Sequence, residues 1–241
     1  MTVLDKRVAQ FPGVGRCIRG IDFYARPNVT SGSTSMTVSS VFKIRKTAPT
    51  AQSFFITNQR SGASAGWGIS LITPPNTIAF NIYDSIGTSI AVNINVPLYL
   101  NAIYVVTSCY DNSEVRMAVN SLTNTAASPN GGYNAPNEDL GIGGEGSPGR
   151  ASPDIQVHSL QLDETNVLTL AEMVAFNRTT FDNLVVGREI PTLASLEFYF
   201  NAFDVVNGAA LATTWPDRSG NGVDLTKNGN PEAYALNGVM F

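Results

Sequence analysis

Met36-Thr37-Val38-Ser39-Ser40-Val41-Phe42-Lys43-Ile44-Arg45 carries mainly apolar residues at even positions and mainly polar ones at odd positions. A β-strand sends successive side chains to opposite faces. This spacing therefore predicts a strand with Met36, Val38, Phe42 and Ile44 turned inward. The same period of two recurs at Ile78, Phe80 and Ile82, and at Ile90, Val92, Ile94 and Val96. Residues 102–110 and 114–120 repeat it, with Ile103, Val105, Val115, Met117 and Val119 expected on the inner face.

Turn chemistry punctuates these runs. Pro74-Pro75-Asn76, Asp84-Ser85-Ile86-Gly87 and Asp111-Asn112-Ser113 suit hairpin connections. A parallel sheet needs a helix-length crossover after each strand, and these gaps leave no room for one. Many short strands so spaced predict an all-β fold, an antiparallel β-sandwich. One helix is expected where Thr169-Leu170-Ala171-Glu172 forms a capping box, followed by Met173, Val174 and Phe176 at helical spacing before Asn177. A second short turn is expected at residues 180–186, and a further strand at Leu196-Glu197-Phe198-Tyr199-Phe200. Residues 124–153, rich in Gly, Asn and Pro, read as a long irregular stretch, either a functional surface or a plain connector.

Composition excludes several roles. The chain has 241 residues, enough for a full core, and a formal net charge of -4. It shows no basic stripe, so no nucleic-acid partner is expected. No apolar run reaches the roughly 20 residues a membrane helix requires, so no membrane partner is expected either. The opening Met1-Thr2-Val3-Leu4-Asp5-Lys6-Arg7-Val8 mixes charged and apolar residues and is not expected to be a secretory signal. Cys17 and Cys109 pair only if the fold brings them together, and are otherwise read as reduced, buried thiols. N-x-T triplets stand at Asn28 and Asn177.

From Tyr110 the sequence reads Tyr110-Asp111-Asn112-Ser113-Glu114-Val115-Arg116-Met117-Ala118-Val119-Asn120, then Leu140-Gly141-Ile142-Gly143-Gly144, and then Leu168-Thr169-Leu170-Ala171-Glu172-Met173. With Gly66-Trp67-Gly68-Ile69-Ser70-Leu71 upstream, this order over residues 35–177 resembles the concanavalin A-like, laminin-G-like jelly-roll domains. Asn112 stands where their turn glycine usually falls, and Ser121 where their V-N-G pattern closes. Trp215-Pro216-Asp217-Arg218-Ser219-Gly220-Asn221-Gly222-Val223-Asp224-Leu225-Thr226 resembles a stretch that usually opens such domains, yet here it follows the closing helix. It implies a permuted strand order, a truncated second copy, or a tail that packs on a neighbour. The expected organisation is a sandwich over residues 1–177, and a C-terminal extension over residues 178–241 that packs on it or on another subunit.

Catalysis finds little support. His158, the single histidine, lies in an alternating strand without a placed nucleophile and reads as structural. Related glucanases on this fold carry a strand of closely spaced carboxylates, and this chain has none; Glu138, Asp139, Glu145, Asp163 and Glu164 lie elsewhere. No enzyme activity is expected. For sugar binding, Tyr133 with Asn134 and Asn137 supplies an aromatic ring among amides, and Tyr110 with Asp111 a second candidate. Asp217, Ser219, Asn221 and Asp224 space oxygen ligands as in a calcium loop, although Asn228 stands where the bidentate Glu belongs. The alternative is a Gly/Asn turn closed by side-chain hydrogen bonds.

Two functions compete. One is a structural module of a virus particle, a phage capsid-decoration or tail protein that assembles in the host cytoplasm with other virion subunits or copies of itself. The other is a lectin-like module for cell-surface glycans, with or without calcium.

Overall fold

The computed structural model describes residues 23–30, 35–46, 51–58, 65–73, 76–84, 86–97, 99, 102–127, 133–134, 137–142, 154–201, 206–207 and 210–228. The elements run β1 (Phe23–Thr30), β2 (Met36–Lys46), β3 (Ala51–Asn58), β4 (Trp67–Thr73), β5 (Thr77–Tyr83), β6 (Ser89–Asn95), β7 (Ile103–Tyr110), β8 (Glu114–Val119), β9 (Leu122–Ala127), β10 (Asn137–Ile142) and β11 (Asp154–Asp163). Then follow α1 (Leu170–Val185), β12 (Leu196–Asn201), β13 (Val206–Asn207), β14 (Ala210–Leu211), β15 (Thr214–Trp215) and β16 (Leu225–Asn228). One sheet has eight strands in the order β15-β16-β1-β10-β3-β4-β5-β6, and the other has six in the order β12-β11-β2-β7-β8-β9. Their pairings are antiparallel, as the hairpin-length gaps require.

The two sheets face each other across one apolar core. Met36, Val38, Phe42 and Ile44 of β2 are fully buried there, as their alternation predicts, and meet Ile69, Leu71, Ile78, Phe80 and Ile82 of the other sheet. Trp67 lies 6.4 Å from Phe80, centroid to centroid, and Phe42 stacks on Tyr104 at 5.9 Å.

In β7 the inward expectation is corrected. Tyr104, Val106 and Tyr110 face the core, whereas Ile103 and Val105 turn to the opposite side and join Val41, Leu184, Ile190 and Tyr199. The cause is α1, which covers the outer face of the six-stranded sheet and buries both sides of β7. A strand covered on both faces has no polar side, so the alternation of its sequence no longer says which side is the core.

Helix α1 begins as the capping box predicts. The Thr169 hydroxyl accepts from the Glu172 N–H at 3.3 Å, and the Glu172 carboxylate accepts from the Thr169 N–H at 2.8 Å. It does not stop at Asn177, and the separate turn expected at residues 180–186 is the continuation of the same helix. Asn177 is buried beneath the helix, where its Oδ1 accepts from Thr107 at 2.6 Å and its Nδ2 donates to the carbonyls of Ala118 and Asn120. These tertiary bonds satisfy a side chain that would otherwise compete with the helical backbone. Burial also removes the Asn177 triplet from any surface role; the side chain of Asn28 lies outside the described residues.

The C-terminal part is built into the sandwich. β12 pairs with β11, and β16 pairs with both β15 and β1, so strands from this part complete both sheets. Trp215 is fully buried, lies 5.9 Å from Phe200 in an edge-on contact, and donates its Nε1–H to the Asn201 carbonyl at 2.8 Å. A boundary between residues 177 and 178 would cut through α1. The segment that resembles a domain opening supplies β15 and β16, of which β16 lies beside β1. Residues 124–127, expected to be irregular, form most of β9.

Candidate functional site

The sugar-binding candidates gather at one end of the sandwich. There β2 begins, β7 ends and β5 ends, so Met36 pairs with Tyr110, and Tyr133 forms an isolated bridge with Asp84 just past β5. Tyr133 is partly buried, with its ring 6.0 Å from that of Tyr110. Burial, reinforced by the nearby Glu164 charge, pushes its phenol well above its ordinary pKa, so the ring stays neutral. Asn134 is pinned by its backbone, donating to the Tyr83 carbonyl at 2.9 Å and accepting from Gly66 at 3.0 Å. Gly66 adopts φ 95, a left-handed conformation that other residues rarely enter. Asn137 opens β10 opposite Thr30, and its side chain lies outside the described residues.

Tyr110 itself is corrected as an exposed platform. It is 0% exposed, and its hydroxyl donates to Asn112 Oδ1 at 2.7 Å, so no ring face is offered to a sugar. Period-two alternation explains this, since Tyr110 continues the inward set of β7. Asp111, the next residue, stays at the surface with 21% of its side chain exposed. Its Oδ1 accepts from the N–H groups of Ser113 at 2.9 Å and Glu114 at 3.0 Å, and also from the Ser113 hydroxyl. Burial alone would push this carboxyl up. The hydrogen bonds from Ser113 and Glu114, with the Arg116 guanidinium, outweigh it and hold the pKa at about 2.

Two partners of Asp111 escaped the sequence reading. Arg116 bridges Asp111 through Nη2 and Glu114 through Nε, and extends Nη1 to the Leu168 carbonyl at 3.4 Å. The three charged side chains form one ion-paired cluster on the β7–β8 hairpin, with Arg116 and Asp111 only 16% and 21% exposed and Glu114 37%. A signal was available, because residues 85–110 and 117–137 contain no Asp, Glu, Lys or Arg, which leaves this triad isolated in a neutral stretch.

The expected calcium ligands converge on one another rather than on a vacant centre. Asp217 Oδ1 accepts from the N–H of Tyr199 and of Ser219, both at 2.9 Å, while Oδ2 accepts from the Ser219 hydroxyl at 2.6 Å and Val223 N–H at 3.2 Å. Asp224 Oδ1 accepts from Asp217 N–H at 2.8 Å, and Asn221 donates through Nδ2 to the Leu196 and Glu197 carbonyls. A calcium ion needs six to eight oxygens with free lone pairs. Here the carboxylate of Asp217 is already occupied by N–H and O–H donors, so the set reads as a turn closed by hydrogen bonds, with Gly220 and Gly222 at positive φ. Its job is visible in the same bonds: the loop covers the outer edge of β12. Among the described residues, no group of three or more His, Cys, Asp or Glu is placed to hold a metal ion.

His158 is buried, and burial lowers its pKa to about 3, helped by the positive charges of Arg218 and Lys43; at neutral pH the ring is uncharged. Cys109 is also buried, its sulfur 3.1 Å from the Thr37 hydroxyl, and burial raises the thiol to about 11. That keeps it a protonated, unreactive thiol. Cys17 lies outside the described residues.

No protein-family model matches the sequence, and no curated protein sequence is similar to it. Solved structures do share its fold. A native heptameric SAP-like pentraxin from Limulus polyphemus superposes with a TM-score of 0.52 at 12% identity, covering 70% of this chain and 83% of that one. The binding domain of botulinum neurotoxin serotype G gives 0.51 at 12% identity, over 69% of this chain and 46% of that one. The receptor binding domain of botulinum neurotoxin D gives 0.50 at 11% identity, over 62% and 38%. The chain thus spans less than half of each neurotoxin structure. These likenesses establish the fold as a concanavalin A-like jelly-roll sandwich.

Proposed function

We propose that this chain is a non-catalytic binding module that recognises carbohydrate at the Tyr133 end of the sandwich, and that it works as a component of a virion. The observation that carries the glycan reading is the Asp111–Arg116–Glu114 patch. Sugar hydroxyls donate to carboxylates and accept from guanidinium groups. Asp111 already accepts from four donors, so Glu114, the most exposed of the three, is the carboxylate left for a sugar, with Arg116 held beside it before a ligand arrives. They sit on the β7–β8 hairpin, at the end of the sandwich where Tyr110 packs against the partly buried Tyr133. Two of the similarly folded structures are a binding domain and a receptor binding domain, which favours the same class.

A non-enzymatic role is favoured by how the reactive groups are engaged. Asp163 and Asp217 are taken up by backbone and side-chain donors, and the single histidine is buried in neutral form. A glycan array followed by calorimetry, with and without calcium, tests the proposal. The expected result is binding that survives calcium removal and weakens by about tenfold or more in Arg116→Ala, since a hydrogen bond to a charged group contributes about 1.5–3 kcal/mol. Failure to bind any glycan, or an Arg116→Ala chain that binds as the parent does, overturns it. The virion setting predicts the chain among the proteins of purified particles by mass spectrometry, and its absence there ends that part.

A further inference from the structure

Two free sheet edges lie on one side of the sandwich. β6 ends the eight-stranded sheet, β9 ends the six-stranded one, and among the described residues no strand pairs with the outer side of either. The two edges touch, with Asn124 of β9 donating through Nδ2 to the Asn93 carbonyl of β6 at 2.8 Å. Leu122, Thr123, Asn124, Thr125 and Ala127 of β9 are exposed.

Natural sheets guard such edges with charges, proline, bulges or a covering loop. This chain uses the last device at β12, where the loop of residues 217–221 takes the Tyr199 N–H and the carbonyls of Leu196, Glu197 and Tyr199. At β6 and β9, apart from the Asn124–Asn93 bond, the described residues show none of them. Both strands are free of charge and proline, and they pair with their neighbours in unbroken register. Ile86, Tyr99 and Leu122, three of the four exposed large hydrophobic residues among those described, border this side.

We infer that β9 is the contact with a second copy of this chain, pairing antiparallel with its own counterpart about a two-fold axis. The sequence of β9 is self-complementary in that arrangement. Centred on Asn124, the two-fold sets Thr123 against Thr125 of the copy, Leu122 against Ala126, and Asn124 against Asn124. Thr–Thr pairs are favourable cross-strand neighbours, and an isologous contact needs this reciprocity. The chain carries a net charge of -4, but none of it lies in β9, so two copies meet here without repulsion. The Thr125 N–H is held meanwhile by the Asn124 Oδ1 at 2.9 Å, a local bond that a partner carbonyl replaces.

This inference rests on the assembly half of the proposed function and names its partner. Sedimentation equilibrium over a concentration series tests it. The unmodified chain reaches twice its 25.7 kDa, and T123K/T125K, which sets lysine against lysine across the axis, weakens association by about tenfold or more. Far-UV circular dichroism of that variant checks its folding. Amide exchange on the unmodified chain gives a second readout, with the outward amides of Thr123 and Thr125 slowing as concentration rises. A chain that stays monomeric throughout overturns the inference, as does a dimer that leaves these amides unprotected and the double substitution without effect. Glycan binding by a strictly monomeric chain removes this inference and leaves the glycan reading standing.

Discussion

Asp163 shows how one residue fixes local geometry. Its Oδ1 accepts from the N–H groups of Thr165 and Asn166, and its Oδ2 from the Ser195 N–H at 2.8 Å and the Asn166 side chain at 2.8 Å. The residue ties the end of β11 to the segment that enters β12. Burial opposes ionisation, but the hydrogen bonds from Thr165, Asn166 and Ser195 prevail, and the pKa is lowered. A lowered folded pKa stabilises the fold above the unfolded value of about 3.9 and loses that contribution as pH falls through the folded value. Asp163→Ala is therefore expected to cost about 2–3 kcal/mol at neutral pH, and the deficit to shrink below about pH 4 in urea titrations. The sequence showed Asp163 only as a carboxylate at a strand end. Asn112 was more legible: standing where the resemblance has a turn glycine, it adopts φ 66, and asparagine tolerates that conformation better than most residues.

At the scale of elements, α1 teaches the most. Its start was readable because a capping box is local chemistry, complete within four residues. Thr169→Ala is expected to destabilise the protein by about 1 kcal/mol, measured as a lower thermal midpoint. Its length was not readable, because Asn177, Thr179 and Thr180 have modest helix propensity and stay helical through the sheet beneath them. The inward face of β2 was correct, while that of β7 was reversed, and the same helix explains both: β7 runs directly under α1, and the polar outer residues of β2, Thr37 and Ser39, are sealed there by hydrogen bonds to Asn166, Cys109 and Thr107. At the candidate site, the sequence singles out Asp111 only from its place beside an aromatic residue. Arg116 was missed, because its role depends on folding back across the β7–β8 hairpin.

At the scale of the whole molecule, β12 and β16 are built into the same two sheets as β1 and β2, which predicts that the chain unfolds as one unit. Trp215→Ala, which empties a fully buried site, is expected to cost about 3–5 kcal/mol. The loss should appear as one displaced denaturation curve, with far-UV circular dichroism and the fluorescence of Trp67 shifting together. Separate curves for the two probes would restore the two-part organisation that the sequence suggested. The sequence by itself determined the class of the fold, because alternation and turn chemistry act between neighbouring residues. For the same reason it determined β5 and β6 of one sheet and β2, β7, β8 and β12 of the other. Only the tertiary structure decided which face of β7 meets the core, how the segment around Trp215 joins β1, and that Asp217 seals a strand edge with oxygens that looked free for calcium. Each of those depends on groups far apart in sequence, whose meeting no local pattern records.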